Sequence, residues 1–328
     1  MKTLNFAELL NVAELPVYLD RVESAMLSAI TTENPNISQP ASRVAQSAGK
    51  RLRPMLVIAS AAPKAINESV IDAGAAVELA HLATLVHDDI IDDSETRWGN
   101  RTVFKQDGLD SAILVGDYLL MLAAAQASKI SKESAYLLST TVARICDGQS
   151  RELADEFNID RTVDSYMTTI GHKTASLTAA ACQLGGLCAD LPDDKIEALS
   201  RFGEAFGTAF QLIDDVLDFV STAKNMGKPI GNDVKEGVYT LPLLIALNGP
   251  NRDGLQNLLS NDNHSQASLD KIAQILWDSG AIEQCLDEAR QYNKLAVSAL
   301  EVFENKAAGK SLSKLPDAYF EWALKKFR

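Results

Sequence analysis

Two aspartate clusters, each following an apolar run, constrain this chain more than any other feature. The first is His87-Asp88-Asp89-Ile90-Ile91-Asp92-Asp93, four carboxylates within six residues. Val77 to Val86 precedes it, mostly apolar and without Gly, Pro or strand-like alternation, so it reads as a buried helix. In a continuing helix Asp88 and Asp92 lie one turn apart on one face, and Asp89 and Asp93 form a second pair rotated by about 100°. The second cluster, Gln211-Leu212-Ile213-Asp214-Asp215-Val216-Leu217-Asp218, follows the apolar stretch Phe202 to Phe210 and repeats the pair in Asp214 and Asp218. An acidic helix end is usually solvated. Two such pairs on two apolar helices instead predict one cavity lined with carboxylates from both sides. Carboxylates so placed need a counter-charge, and a hard cation such as Mg²⁺ supplies one, with a phosphate as a further oxygen ligand.

The 328 residues are 46% hydrophobic, rich in Ala and Leu, and show little β-branched alternation. The expectation is an all-α chain: a single domain over residues 1–328, one helical bundle around a deep central cavity. With 31 basic and 44 acidic residues the net charge is −13, which excludes a general nucleic-acid binder. Small phosphorylated ligands held by a few local cations remain open. Cys146, Cys182, Cys188 and Cys285 form no CxxC pair and have no His at zinc spacing, so reduced core thiols and a cytoplasmic location are expected. The first twenty residues carry Glu8, Glu14 and Asp20 and no basic-then-apolar signal pattern. No uninterrupted run of about 18 apolar residues occurs, and no membrane span is expected.

Cations concentrate in a few places. Gly49-Lys50-Arg51-Leu52-Arg53-Pro54 puts three in four residues, just before a predicted helix from Met55 to Ala62. Basic side chains beside a helix start make an anion site. Further cations are Lys173, beside Thr174, and Lys228 in the irregular stretch Ser221 to Thr240. Asn34 to Pro40 and Ser94 to Gly108 read as loops. A cavity with two aspartate pairs and a rim of Lys and Arg suits a substrate with a diphosphate at one end. Charge developing on the leaving diphosphate is compensated in advance, and an Ala- and Leu-lined space below holds an apolar chain away from water.

The ordered motifs resemble those of the trans-polyprenyl diphosphate synthases, the head-to-tail prenyltransferase family. Gly49 to Pro54 resembles GKRxRP, Asp88 to Asp92 the first DDxxD, Gly116-Asp117 a GD pair and Lys173-Thr174 a KT pair. Phe210-Gln211 to Asp218 resembles FQxxDDxxD, and Gly227 to Gly237 the loop GKPxGxDxxEG. The resemblance implies an isoprenoid-synthase bundle and Mg²⁺-dependent condensation of isopentenyl diphosphate with an allylic geranyl or farnesyl diphosphate. The product would be a long polyprenyl diphosphate of the heptaprenyl or octaprenyl type, a quinone side-chain precursor. The alternatives are a geranylgeranyl or farnesyl diphosphate synthase, or a subunit that needs a partner chain. By the same resemblance Asp88, Asp92 and Asp214 ligate Mg²⁺, with Asp89, Asp215 and Asp218 close by. Arg97, Lys173, Thr174, Gln211 and Lys228 bind the allylic diphosphate, and Lys50, Arg53 and His81 hold isopentenyl diphosphate. The catalytic set is then Asp88, Asp92, Lys173, Asp214 and Lys228. A homodimer is expected, with peripheral membrane contact during product release.

Two positions depart from the family pattern: Trp98 stands where a second arginine is usual, and Val238 where many members carry lysine. Product length is read backward from Asp88, through Thr84, Ala83, Ala80, Ala76 and Ala73, taken as the wall below the metals. Ala123, Ala124, Ala125 and Ala127 continue it on the facing helix. Short-chain members carry a bulky aromatic at the position of Ala83 or Thr84, so a product of about six to eight isoprene units or more is expected, each helix turn descending ~5.4 Å.

Overall fold

A computed structural model describes residues 9–10, 12, 14–47, 49–62, 66–220, 231–260, 265–303 and 307–325. Helices α1 (Leu15–Ala29), α2 (Pro35–Gln46) and α3 (Leu52–Ala61) lead into the long α4 (Glu68–Ile91). A hairpin of Thr96–Arg97 and Asn100–Arg101 and the short α5 (Val103–Asp107) connect it to α6 (Leu109–Ile130) and α7 (Lys132–Ala154). Helix α8 (Val163–Ile170) runs through a π-helical segment, Gly171–Ala175, into α9 (Ser176–Cys188). Then come α10 (Asp193–Val220), α11 (Asn232–Lys235), α12 (Leu241–Leu247), α13 (Arg252–Leu259), α14 (Gln266–Asp278), α15 (Ala281–Ala299), α16 (Ala307–Leu312) and α17 (Leu315–Leu324). The all-α expectation holds: the hairpin, with Thr96 opposite Arg101, is the one sheet among the described residues.

Helix α4 is the axis of the bundle, packed against α1, α3, α6 and α9. Its burial runs all round, from Val70 through Ala73, Leu79 and Leu82 to Val86, as an internal helix requires. Asn67 fixes the start, accepting from Val70 N at 3.0 Å, and Asp92 sits at the C-terminal cap. Helix α10 is the second axis, packed on α9, α15 and α17. The two aspartate clusters therefore end two core helices.

Two local expectations are corrected, and a third is qualified. Residues 35–46 are helical, because Pro35 takes the first turn, where a missing N–H is harmless, and Asn34 caps through Asn36 N at 3.1 Å. Residues 94–108 fold into the hairpin and α5, turning at Trp98 and Gly99 with φ of 50° and 80°. Positive φ at both central residues is the hairpin geometry that follows strand twist, here carried by a bulky aromatic. Finally, α4 and α6 are long and apolar enough to cross a membrane by length and composition, since scattered polar residues interrupt but do not abolish the apolar character. Helix α4 spends that character in the core; α6 leaves Leu109, Ile113, Leu114 and Met121 exposed.

Candidate active site

The two clusters meet at a cavity of about 190 Å³, lined by Asp92, Glu152, Arg161, Tyr166, Lys173, Thr174, Gln211, Asp215, Asp233 and Thr240, among others. The π-helical segment carries Lys173 and Thr174 to this mouth. An extra residue per turn re-aims side chains, and such bulges recur at functional sites. Gly148 of α7 makes the approach feasible: a Cβ there would lie 2.7 Å from Lys173 N. Lys173 pairs with Glu152 of α7. Burial alone would lower the Lys173 ammonium, but Glu152, then Asp88 and Asp92, outweigh it and hold its pKa above the ordinary value.

The aspartates are placed unequally. Burial, reinforced by Asp92 against the pull of Lys173, raises Asp88 to about 6. Asp89 is buried and bound by Arg97 Nε at 2.8 Å. Asp215 is buried, accepting from Tyr166 Oη and, at 2.7 Å, from Gln211 Nε2. Burial, opposed by those bonds and reinforced by Asp214, pushes it to about 7. Thr174 Oγ1 donates to Gln211 Oε1 at 2.9 Å, so Thr174, Gln211 and Asp215 form one chain of hydrogen bonds. Asp218 receives Asn232 N at 3.3 Å, which ties the start of α11 to the cluster. Asp214 accepts from Tyr319 of α17.

Below the mouth, and sharing Thr174 and Gln211 with it, is a second cavity of about 380 Å³. Lys50, Arg53, Glu78, His81, Trp98 and Asp214 line it, with Phe206 and Phe210 as apolar walls. Arg51 pairs with buried Glu78 at 2.9 Å and is committed to the fold. Lys50 lies 5.3 Å over the Trp322 ring. Arg53 Nε has no hydrogen-bond partner, and burial lowers its pKa against the pull of Glu78. Burial, then Arg53, Arg97 and Arg51, drive His81 well below its ordinary pKa, so it stands as a neutral ring.

On α4 the larger cavity is lined by Glu78, His81 and Leu85, not by Ala80, Ala83 or Thr84. At about 100° per residue Ala83 lies ~140° and Ala80 ~80° around the helix from Asp88, so the alanines do not share the metal-bearing face. Both are buried, and by helix phase they fall on the side of α4 that carries His87, against which Gly116 of α6 abuts so closely that a Cβ there would lie 2.1 Å from the ring. Ala123 and Ala127 of α6 are buried, whereas Ala125 is exposed. Lys228 lies outside the described residues. Sequence reasoning missed Glu152, Arg161, Tyr166 and Tyr319, since nothing in spacing separates them from ordinary helix and loop residues. Of the thiols, Cys182, Cys188 and Cys285 are buried as expected, and Cys146 is exposed.

Among the described residues no three Asp, Glu, His or Cys side chains converge as a ready-made chelate. The donor set fits Mg²⁺ held otherwise: by one or two carboxylates, with phosphate oxygens completing the shell. Acids pushed up to about 6 and about 7 by burial and by neighbouring carboxylates are the groups a divalent cation relieves.

An all-α bundle with aspartate clusters on two core helices around a shared cavity is the architecture of isoprenoid synthases. The polyprenyl synthetase family model matches residues 34–276, and the chain belongs to that family. It is 34% identical to nonaprenyl diphosphate synthase of Mycobacterium tuberculosis over 302 residues, 90% of each chain. It is 32% identical to heptaprenyl diphosphate synthase component 2 of Bacillus subtilis, covering 90% of this chain and 85% of that one. A crystal structure of polyprenyl synthase from Caulobacter crescentus, complexed with calcium and isoprenyl diphosphate, superposes with a TM-score of 0.89 over 98% of each chain at 30% identity.

Proposed function

We propose that this chain condenses isopentenyl diphosphate with an allylic diphosphate and repeats the step to build a long all-trans polyprenyl diphosphate. The observation that carries the reading is the mouth cavity, where Asp92 of one cluster and Asp215 of the other line one space with Lys173. The names of the relatives, nonaprenyl and heptaprenyl, support a long product.

In each cycle the allylic carbon–oxygen bond breaks toward the diphosphate, a carbon–carbon bond forms to isopentenyl diphosphate, and a proton leaves. Asp88, Asp92 and Asp214 are assigned to hold Mg²⁺, with Asp89, Asp215 and Asp218 supporting; when bound, the ion offsets charge developing on the diphosphate oxygens. Lys173 adds a fixed positive charge at the same place. Thr174, Gln211 and Arg97 orient the allylic diphosphate, and Lys228 keeps the role its motif implies. Lys50, Arg53 and neutral His81 hold isopentenyl diphosphate in the larger cavity.

A space of about 380 Å³ is at the small end for a ligand pocket, and a long polyprenyl chain outgrows it. We assign the overflow to the α4–α6 seam, where Ala80, Ala83 and Ala123 leave little to displace. The exposed apolar side chains of α6, with Tyr136 of α7, are assigned to a second copy of the chain, since an apolar patch of this kind marks an interaction surface.

The test is the purified chain with farnesyl diphosphate, labelled isopentenyl diphosphate and Mg²⁺. Long products from the chain alone support the reading; products stopping at about four or five units, roughly one or two condensations beyond the three-unit primer, overturn the length. Activity appearing only when a second protein is added favours the two-component arrangement suggested by the name of the Bacillus subtilis relative.

A further inference from the structure

Arg161 and Thr240, which no sequence motif singles out, line the mouth cavity together. Both are only 4% exposed, and both carry polar atoms with no hydrogen-bond partner: Arg161 Nη2 and Thr240 Oγ1. Arg161 is held from three sides. Its Nη1 donates to Tyr239 O at 3.0 Å, its guanidinium lies 5.5 Å over the Tyr166 ring, and its Nε is 3.3 Å from Asp155 Oδ2 without the alignment of a hydrogen bond. The group is thus fixed in place with two donor nitrogens, Nε and Nη2, making no hydrogen bond; the Asp155 carboxylate lies beside Nε. Thr240 stands at the N-cap of α12, where a threonine hydroxyl normally bonds a backbone N–H of the first turn, yet it makes no such bond. The two residues are joined through Tyr239, whose carbonyl Arg161 grips.

A buried donor left unpaired is a standing cost that a bound oxygen would remove. The guanidinium fork matches phosphate oxygens in geometry, and a charge-assisted bond to phosphate is among the stronger ones. We propose that Arg161 Nη2 and Thr240 Oγ1 form a subsite for one oxygen of the diphosphate group at the mouth, adding to Lys173 in the same cavity. This rests on the diphosphate reading above. Charge permits it: Asp155 balances Arg161 in the resting chain, and the diphosphate enters with its own cations.

The test measures binding of inorganic diphosphate with Mg²⁺ by calorimetry, and KM for each substrate, in the wild type, Arg161→Gln and Thr240→Val. Each variant weakens inorganic diphosphate about tenfold or more, the loss of one charge-assisted or buried bond. KM for the allylic diphosphate rises in step, while KM for isopentenyl diphosphate stays within about twofold. The double variant is little worse than Arg161→Gln, because both donors serve one oxygen. Equal rises in both KM values, or unchanged diphosphate affinity with a lower Tm, overturn the subsite and leave Arg161 as a brace for Tyr239. If Arg161→Gln fails to fold, Thr240→Val decides alone. A wild type that binds no diphosphate fails the proposed function itself, which separates the two outcomes.

Discussion

Tyr319 of α17 donates its phenolic hydrogen to the Asp214 carboxylate of α10, across 105 residues of sequence. The phenol ring stacks on Phe210 at 4.6 Å and on Trp322 at 5.5 Å, and Trp322 in turn lies under Lys50. One aromatic stack therefore braces a carboxylate of the second cluster and a cation of the Gly49–Pro54 loop.

Tyr319→Phe keeps the ring and removes the hydroxyl. Groups that orient a metal ligand typically contribute 10–100-fold in metal affinity, so the Mg²⁺ concentration for half-maximal turnover should rise about tenfold or more, with Tm little changed. An unchanged Mg²⁺ titration would reduce the bond to packing.

Asp88 titrates near 6 against 3.8 for an ordinary aspartate. The folded chain holds this proton more tightly than the unfolded one, so the stability it contributes is fully present below about 3.8 and lost as pH rises through about 6. In EDTA-treated protein, Asp88→Asn should raise stability at pH 8 by on the order of 1–2 kcal/mol, allowing for partial solvent contact, and change little near pH 3.5, roughly the range where both states are protonated. With Mg²⁺ present the same variant should lose about 10³-fold in turnover or more. Melting curves at the two pH values and a rate assay check both halves, and near-normal turnover would remove Asp88 from the metal site.

Trp98 lines both the larger cavity and a neighbouring one of about 330 Å³, and its ring lies over Gly49. Arg101, the nearest substitute cation in sequence, donates to Lys105 O at 3.0 Å and is exposed. Trp98→Arg should lower KM for isopentenyl diphosphate by about tenfold, a charge-assisted contact being worth roughly 1.5–3 kcal/mol. A flat response means that Lys50 and Arg53 already suffice.

Ala83→Phe tests the α4–α6 seam. If the growing chain leaves the larger cavity by parting this seam, the product should shorten to about three or four units while the first condensation keeps most of its rate. Unchanged product length, with Tm lowered by overpacking worth about 1–3 kcal/mol, would mean that the alanines serve only close helix packing.

The sequence by itself determined the helical class and the chemistry of the mouth. Apolar runs ending in paired carboxylates survive any packing, because both the helical period and the charge are local properties. Lys50, Arg53, Lys173, Thr174 and Gln211 all reach the two cavities for the same reason: each lies in a short motif whose spacing is fixed along the chain, and His81 reaches one of them from about two helix turns before Asp88. What only the tertiary structure decided is which partners complete those groups. Glu152 on Lys173, Tyr166 on Asp215, Tyr319 on Asp214 and the unpaired donors of Arg161 and Thr240 come from distant elements. Their positions depend on how helices cross, which no single segment encodes. The Ala80–Ala83 face is decided on the same ground, since a helix offers several faces and only its neighbours settle which one lines a cavity; the larger cavity meets Glu78, His81 and Leu85 instead.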